Sequence, residues 1–408
     1  MKIILYENNQ VKNLYPITLT RPAFDIMCGG TNLYDMLKQA LKPVKIDYLI
    51  RDYLKKTAEQ KYERQKQEEN VVLFLDASLI PDFKQAKLMN FKNSVILKNQ
   101  NQMIGAYLDL AELEISRSQI YRMKQEEVID FLKNLKLKTK NIDWPLLEYQ
   151  WQVITFNEEI LASNLDFLKQ GLTEIFPKVF VGKNVKLPSE VVLNSSYGPI
   201  IINDKSQILP YCHLIGPLYI GKNCLVREFT ILKYSCCIGD VCKAAGEIEA
   251  TVLQGYSNKN HFGFIGYSYL GEWVNLGAGT TNSNLKNNYS SVRMAGIDTG
   301  QMFLGCILGD YCRTAINTSI YTGKIIGINS HMYGTIVDDV SSFVHYAKDF
   351  GCIVEYDIDK ALELQKIVMA RRGLKQQKSD IELLKRNFEL TKYDRKINKI
   401  KKGKIIFK

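Results

Sequence analysis

Four histidines occur in the 408-residue chain. One of them, His261, stands in GYSNKNHFGFIGYSYLGEWVNLGAGTTNSNLKNN (Gly255 to Asn288), a stretch rich in asparagine and glycine. Imidazole titrates near neutral pH, so a histidine beside an attacking nucleophile serves as a general base, typically for about 10²–10⁴-fold in rate. The amides of Asn275 and Asn284, and backbone N–H groups freed by the GAGT glycines (Gly277 to Thr280), are donors that would steady a developing oxyanion and orient a polar substrate. Taken alone, His261 reads more readily as a loop histidine without a role, and His213, His331 and His345 read as structural. A second candidate is Asp76, which ends the apolar run VVLFLD. An acid at a strand's C-terminal end is where an open α/β sheet places ligand groups. A lone aspartate there either holds a magnesium ion on a phosphate or caps a turn.

The elements around His261 follow a six-residue period. Ile202, Ile208, Leu214, Ile220, Val226, Leu232 and Ile238 are in phase without a slip, with turn residues after several of them, as in Ile220-Gly221-Lys222-Asn223. Six is too long for a helical turn and is a β-helix repeat, three units making one 18-residue coil. The 18-residue period shows again in GPIIIN (Gly198 onward) and GPLYIG (Gly216 onward). The period breaks across the His261 stretch and resumes at Met302, Leu308, Thr314, Ile320, Ile326 and Met332. Hexapeptide coils of this type form a left-handed parallel β-helix, an exception to right-handed crossover, and need capped ends.

Before the coil, KIILY, VVLFLD and NSVILK alternate with helix-like segments such as TNLYDMLKQAL, the pattern of a Rossmann-like α/β domain with a mainly parallel sheet. Residues 51–70 read as an exposed polar helix or loop. After the coil, DIDKALELQKIVMARRG reads as a helix with Ala361, Leu364, Ile367 and Val368 on one face, and SDIELLKRNFEL opens on a Ser379/Glu382 capping box. The expected organisation is therefore 1–175 α/β, 176–345 β-helix and 346–408 a short helical, basic C-terminal tail.

A hydrophobic fraction of 46% supplies a sizeable core, which argues against wholesale disorder. The N-terminal MKIILYENN carries no long apolar segment, so neither a signal peptide nor a membrane span is expected. Most of the nine cysteines, Cys212, Cys224, Cys236, Cys237, Cys242 and Cys306 among them, fall in the repeat as small apolar fillers, which suits a reduced, cytoplasmic chain. The net charge of +11 gathers partly in RKINKIKKGKIIFK (Arg395 to Lys408), read as a solvated tail or as a site for anions. No nucleic-acid motif accompanies it, so no nucleic-acid partner is expected.

LYPITLTRP (Leu14 to Pro22) resembles the L-x-P-L-T-x-x-x-P segment of sugar-1-phosphate nucleotidyltransferases, and the stretch around His261 resembles the acetyltransferase half of the bifunctional GlmU family. The chain is thus similar, over nearly its whole length, to a divergent GlmU-like branch described as sugar nucleotidyltransferases. That resemblance implies acetyl transfer from acetyl-CoA to an amino-sugar phosphate of the glucosamine-1-phosphate type, in synthesis of a UDP-N-acetylglucosamine-type nucleotide sugar. It matches the catalytic histidine to His261 and the substrate-binding asparagines to Asn275 and Asn284. It offers Lys259 or Lys286 for the substrate-binding lysine, and places the acyl-CoA contact at Gly305-Cys306. Two family tyrosines are replaced, by Phe264 and Leu285. In the nucleotidyltransferase half, the Gly-rich G-x-G-T-R loop is YENNQVKN (Tyr6 to Asn13), and the lysine after the proline is Ala23. Arg21 remains for a UTP-type nucleotide and Asp76 for Mg²⁺; a loop without glycine cannot bring its backbone as close to a phosphate. The family implies a homotrimer with the acyl-CoA site between subunits. A non-catalytic assembly or regulatory protein of the same architecture is the alternative.

Overall fold

A computed structural model describes residues 1–42 and 44–405; the last three residues of the basic tail lie outside it. The chain divides into two compact units, one made of Met1–Leu14, Thr20–Ile26 and Thr31–Tyr149, the other of Tyr15–Leu19, Met27–Gly30 and Gln150–Lys408. The division falls at residues 149/150, before the expected 175, because the helix Gln152–Leu168 is grouped with the coil that follows it. Asn157 on that helix donates to Ser235 O in the coil. No helix among the described residues is long and apolar enough to cross a membrane.

In the first unit the six strands are β1 (Lys2–Tyr6), β2 (Lys45–Leu49), β3 (Val71–Asp76), β4 (Val95–Asn99), β5 (Gln102–Asp109) and β6 (Thr139–Asn141), ordered β2-β1-β3-β5-β4-β6. The sheet is mainly parallel, five strands running one way and only β5 reversed. β1 runs parallel to β2 and β3, and β4 to β6, but β5 runs antiparallel to both β3 and β4. The cause is the short connection from Asn99 to Gln102, which permits only a hairpin. TNLYDMLKQAL gives the helix Leu33–Ala40, capped by the Asn32 side chain.

The second unit is a parallel β-helix. Ile202, Ile220 and Ile238 stack in register at steps of 18 residues, and all seven aliphatics of the in-phase series are buried in one continuous core. The repeat does not stop at the His261 stretch. Ile238 stacks on Leu253, Leu253 on Leu270, Leu270 on Leu308 and Leu308 on Ile326. The coils are shortened and then interrupted by an excursion carrying the small hairpin Arg293–Met294/Ile297–Asp298. Met302, expected to restart the series, lies in that excursion and is 47% exposed; Cys306 and Leu308 are the core residues that resume the coil after it. The last strand of the coil, Val344–Ala347, is followed by Cys352–Glu355 on the same sheet. The helices Ile358–Ala370 and Lys378–Leu390 come next. The first buries Ala361 and Gln365 while Ile367 is half exposed, and the second is capped by Gln377 and Asp380 instead of Ser379 and Glu382. Leu19 joins these helices in a core with Phe343, Tyr356 and Leu384, so the LYPITL segment is packing material. All nine cysteines are free.

Candidate active site

In the first unit the residues expected to handle a nucleotide are enclosed by protein. Asp76 is 1% exposed; one carboxylate oxygen accepts from Ser78 N and Oγ, the other from Asn8 Nδ2 at 2.6 Å. Burial pushes its carboxyl up to about 6, against those hydrogen bonds. Arg21 is buried and pairs with Asp25 at 3.8 Å. The cavity beyond β1, about 430 Å³, is lined by Glu7, Asn8, Gln10, Glu126, Asp130 and Lys133 among others, and Arg21 is not at its wall. Its acids outnumber its cations, the wrong balance for a triphosphate. Nor do the residues fit a magnesium ion: both oxygens of Asp76 are engaged, and among the described residues no group of three or more His, Cys, Asp or Glu could hold a metal.

In the coil, His261 stands on the turn between the strands Asn258–Lys259 and Phe264–Gly266. Its side chain is exposed, and among the described residues no hydrogen bond or ion pair engages the ring. The next turn stacks directly on it: Gly279 N donates to Phe262 O at 3.1 Å. Gly263 has φ +119°, and a Cβ there would stand 2.2 Å from Thr280 O. The glycines of NHFG and GAGT are thus what lets the two corners close on each other.

Lys259, expected at a substrate, is inside the coil. It stacks between Ala244 and Leu276 in the inward column and is 1% exposed. Its ammonium donates to Ala245 O at 3.2 Å and to His261 O at 2.5 Å. Burial pushes the group down to about 8. Asn282 also points inward and bonds Gly266 N and O. Cys306 is fully buried in the coil core, and its thiol is pushed up to about 12 by burial. Gly305 is equally enclosed, a Cβ there falling 2.1 Å from Gly266 O. The Cys306 thiol is therefore enclosed by the coil.

Asn284 and Phe264 lie together over Gly266: a Cβ at Gly266 would meet Phe264 Cζ at 2.4 Å and Asn284 Nδ2 at 2.9 Å. Lys286, half buried, donates to Ser291 O at 2.6 Å. Asn275 sits on a different outward face, accepting from Asn258 Nδ2 at 3.3 Å and stacking on Arg313. The structure therefore groups His261 with Lys259 and the GAGT corner, and Asn284 with Phe264. Asn275 goes with an arginine cluster instead. That cluster and the inward Asn282 were missed in the sequence. The signals were Asn282, six residues after Leu276, and the paired arginines of MARR.

Corner, coil and α/β unit together define a nucleotidyltransferase-type domain followed by a hexapeptide-type coil. Residues 3–173 match the sugar nucleotidyl transferase family. The chain is 30% identical, over 61% of its own length and 59% of the relative's, to a bifunctional sugar-1-phosphate nucleotidylyltransferase/acetyltransferase of Sulfurisphaera tokodaii. It is 25% identical to the bifunctional protein GlmU of Methanocaldococcus jannaschii, over 53% and 51%. By these matches the chain is similar to GlmU-type bifunctional proteins. It spans about half to three-fifths of the length of these curated relatives. Among solved structures, a Francisella novicida UDP-N-acetylglucosamine acyltransferase aligns at 15% identity and a TM-score of 0.29, over 54% of this chain and 77% of that one. A likeness that low says nothing about the site.

Proposed function

We propose that the chain transfers an acetyl group from acetyl-CoA to the amine of an amino-sugar phosphate of the glucosamine-1-phosphate type. The observation that carries this is the His261 corner: an unengaged imidazole on a turn fixed from inside by Lys259 and from the next coil by Gly279. In the reaction the neutral amine attacks the thioester carbonyl, and His261 takes the amine's proton. The tetrahedral oxyanion collapses, the C–S bond breaks, and the proton passes to the departing CoA thiolate. Backbone N–H groups of the corners and the Asn284 amide are the oxyanion and sugar donors. Lys286 is the surface lysine for the substrate, Lys259 acting only through the His261 turn. An acyl-CoA contact at Gly305-Cys306 would have to come through neighbouring backbone.

We extend the same reading to a closed threefold assembly, in which a second copy completes the exposed His261 corner. Sedimentation giving a monomer with full activity would sink that part. Nucleotidyl transfer with UTP is the weaker half, because Arg21 and Asp76 are both enclosed.

The test is release of free CoA from acetyl-CoA and glucosamine-1-phosphate. His261→Ala should lower it about 10²–10⁴-fold with an unchanged unfolding midpoint, since the ring is exposed. Absence of release by the wild type, with no difference in the variant, overturns the reading and leaves a binding or assembly role.

A further inference from the structure

Beside the His261 corner, one outward column of the coil runs Lys243, Asn258, Asn275, Arg313, each stacked on the next. The helix Ile358–Ala370 brings Arg371 and Arg372 from its C-terminal end to the same place, where Arg372 Nη2 donates to Asn258 Oδ1 at 2.7 Å. Three guanidinium groups, with Lys243 in the same column, therefore gather around two asparagine amides. No Asp or Glu lines the pocket, and among the described residues no ion pair reaches any of the four cations. Nε of Arg313 and Nε of Arg372 are buried without a hydrogen-bond partner.

Such a cluster is unfavourable as it stands. Burial and the neighbouring Arg372 and Arg371 hold Lys243 below the usual lysine range, and burial together with Arg371 does the same to Arg313. Orphaned guanidinium donors cost stability unless something accepts from them. Guanidinium forks match the paired oxygens of a phosphate, and several converging forks are the usual way to hold one. The free space is about 30 Å³. At roughly 10–15 Å³ per water-sized centre, that admits two or three oxygens of one phosphate group, with the rest of its carrier outside the open mouth.

We propose that Arg313, Arg371 and Arg372, with the amides of Asn258 and Asn275, form a binding site for a single phosphate group. This site does not depend on the acyl-transfer reading, since its readout is binding. The phosphate has two sources with shared chemistry, a sugar 1-phosphate or the 3′-phosphate of coenzyme A.

The experiment uses the full chain. Unfolding midpoints and titration calorimetry compare inorganic phosphate with chloride at equal ionic strength, then glucosamine-1-phosphate, coenzyme A and dephospho-coenzyme A. The variants are Arg371→Gln and Arg313→Gln, singly and together. Neither side chain makes a hydrogen bond within the described chain, so neither substitution removes a support of the fold. Phosphate should raise the wild-type midpoint where chloride does not. The double variant should bind phosphate at least about tenfold more weakly, and without phosphate it should melt no lower than the wild type, because like charges have been relieved. Tighter binding of glucosamine-1-phosphate than of coenzyme A marks the sugar as the source. Binding of coenzyme A that vanishes with dephospho-coenzyme A marks the nucleotide, and either result supports the site. Equal effects of phosphate and chloride on the wild type overturn it, as does phosphate binding undiminished in the double variant.

Discussion

Both units bury ionisable groups, and Asp76 in one and Lys259 in the other are handled differently. Asp76, at the end of β3, is met by three donors, from Ser78 and Asn8, all within its own unit's loops. Lys259 replaces an aliphatic in the inward column of the coil and is met by two backbone carbonyls, one of them that of His261. Burial drives each toward neutrality, the acid up to about 6 and the ammonium down to about 8. The aspartate is tied into a finished hydrogen-bond set with no neighbour left to act on. The lysine is tied to the turn that presents the only exposed imidazole of the four. A buried charge in a largely apolar column is costly, and its retention is explained by what it holds in place.

The regular coil sets the scale for that cost. Ile220 is fully buried between Ile202 and Ile238. Ile220→Ala should destabilise by about 2–5 kcal/mol in chemical denaturation, transfer and cavity terms together. A loss under about 1 kcal/mol would mean that the column packs loosely, and the contrast with Lys259 would lose its basis.

Lys259→Met should act in the opposite direction. The folded-state value lies below the ordinary 10.5, so between about 8 and 10.5 the unfolded chain holds a proton that the folded chain has released. Wild-type stability therefore rises with pH across that window, by at most about 1.4 kcal/mol per pH unit, and the cost is fully present below about 8. Lys259→Met should flatten the rise and gain up to about 3 kcal/mol at pH 7. CoA release should fall at the same time, because the His261 carbonyl loses its partner. A variant that is less stable at pH 7 would show that the carbonyl hydrogen bonds outweigh desolvation.

The same residues explain what could be read in advance. The seven in-phase aliphatics from Ile202 to Ile238 made the coil legible, because one inward position every six residues leaves an unmistakable spacing. The phase in fact persists as Leu253, Lys259, Ile265 and again as Leu270, Leu276, Asn282. It was hidden twice over: shortened coils shift the count, and two inward positions carry polar side chains. His261 was legible as chemistry because a histidine among asparagines and glycines has few structural uses. The burial of Cys306, the exposure of Met302 and the antiparallel β5 were not, since each depends on which residues a connection of given length brings into register. The arginine cluster joins residues about 60 positions apart, beyond any local pattern.

The smallest effect belongs to Asp76. Its folded-state carboxyl lies above the ordinary 3.8, so between about 4 and 6 the folded chain holds a proton that the unfolded chain has given up. Stability contributed by this group is present below about 4 and lost as pH rises through about 6. Asp76→Asn mimics the neutral acid and escapes that loss, but it turns an amide N–H toward the Asn8 amide, which must flip or forgo its bond. The two effects oppose each other, and at pH 7 the variant should lie within about 1 kcal/mol of the wild type. Its unfolding free energy should stay flat between pH 4 and 6, where the wild type declines. Magnesium should leave both midpoints unchanged, because the ion would have to displace Ser78 and Asn8 from the Asp76 carboxylate. A magnesium-dependent rise in the wild-type midpoint that Asp76→Asn abolishes would reverse the contrast between the units, making the aspartate a ligand and the α/β unit a working nucleotide site.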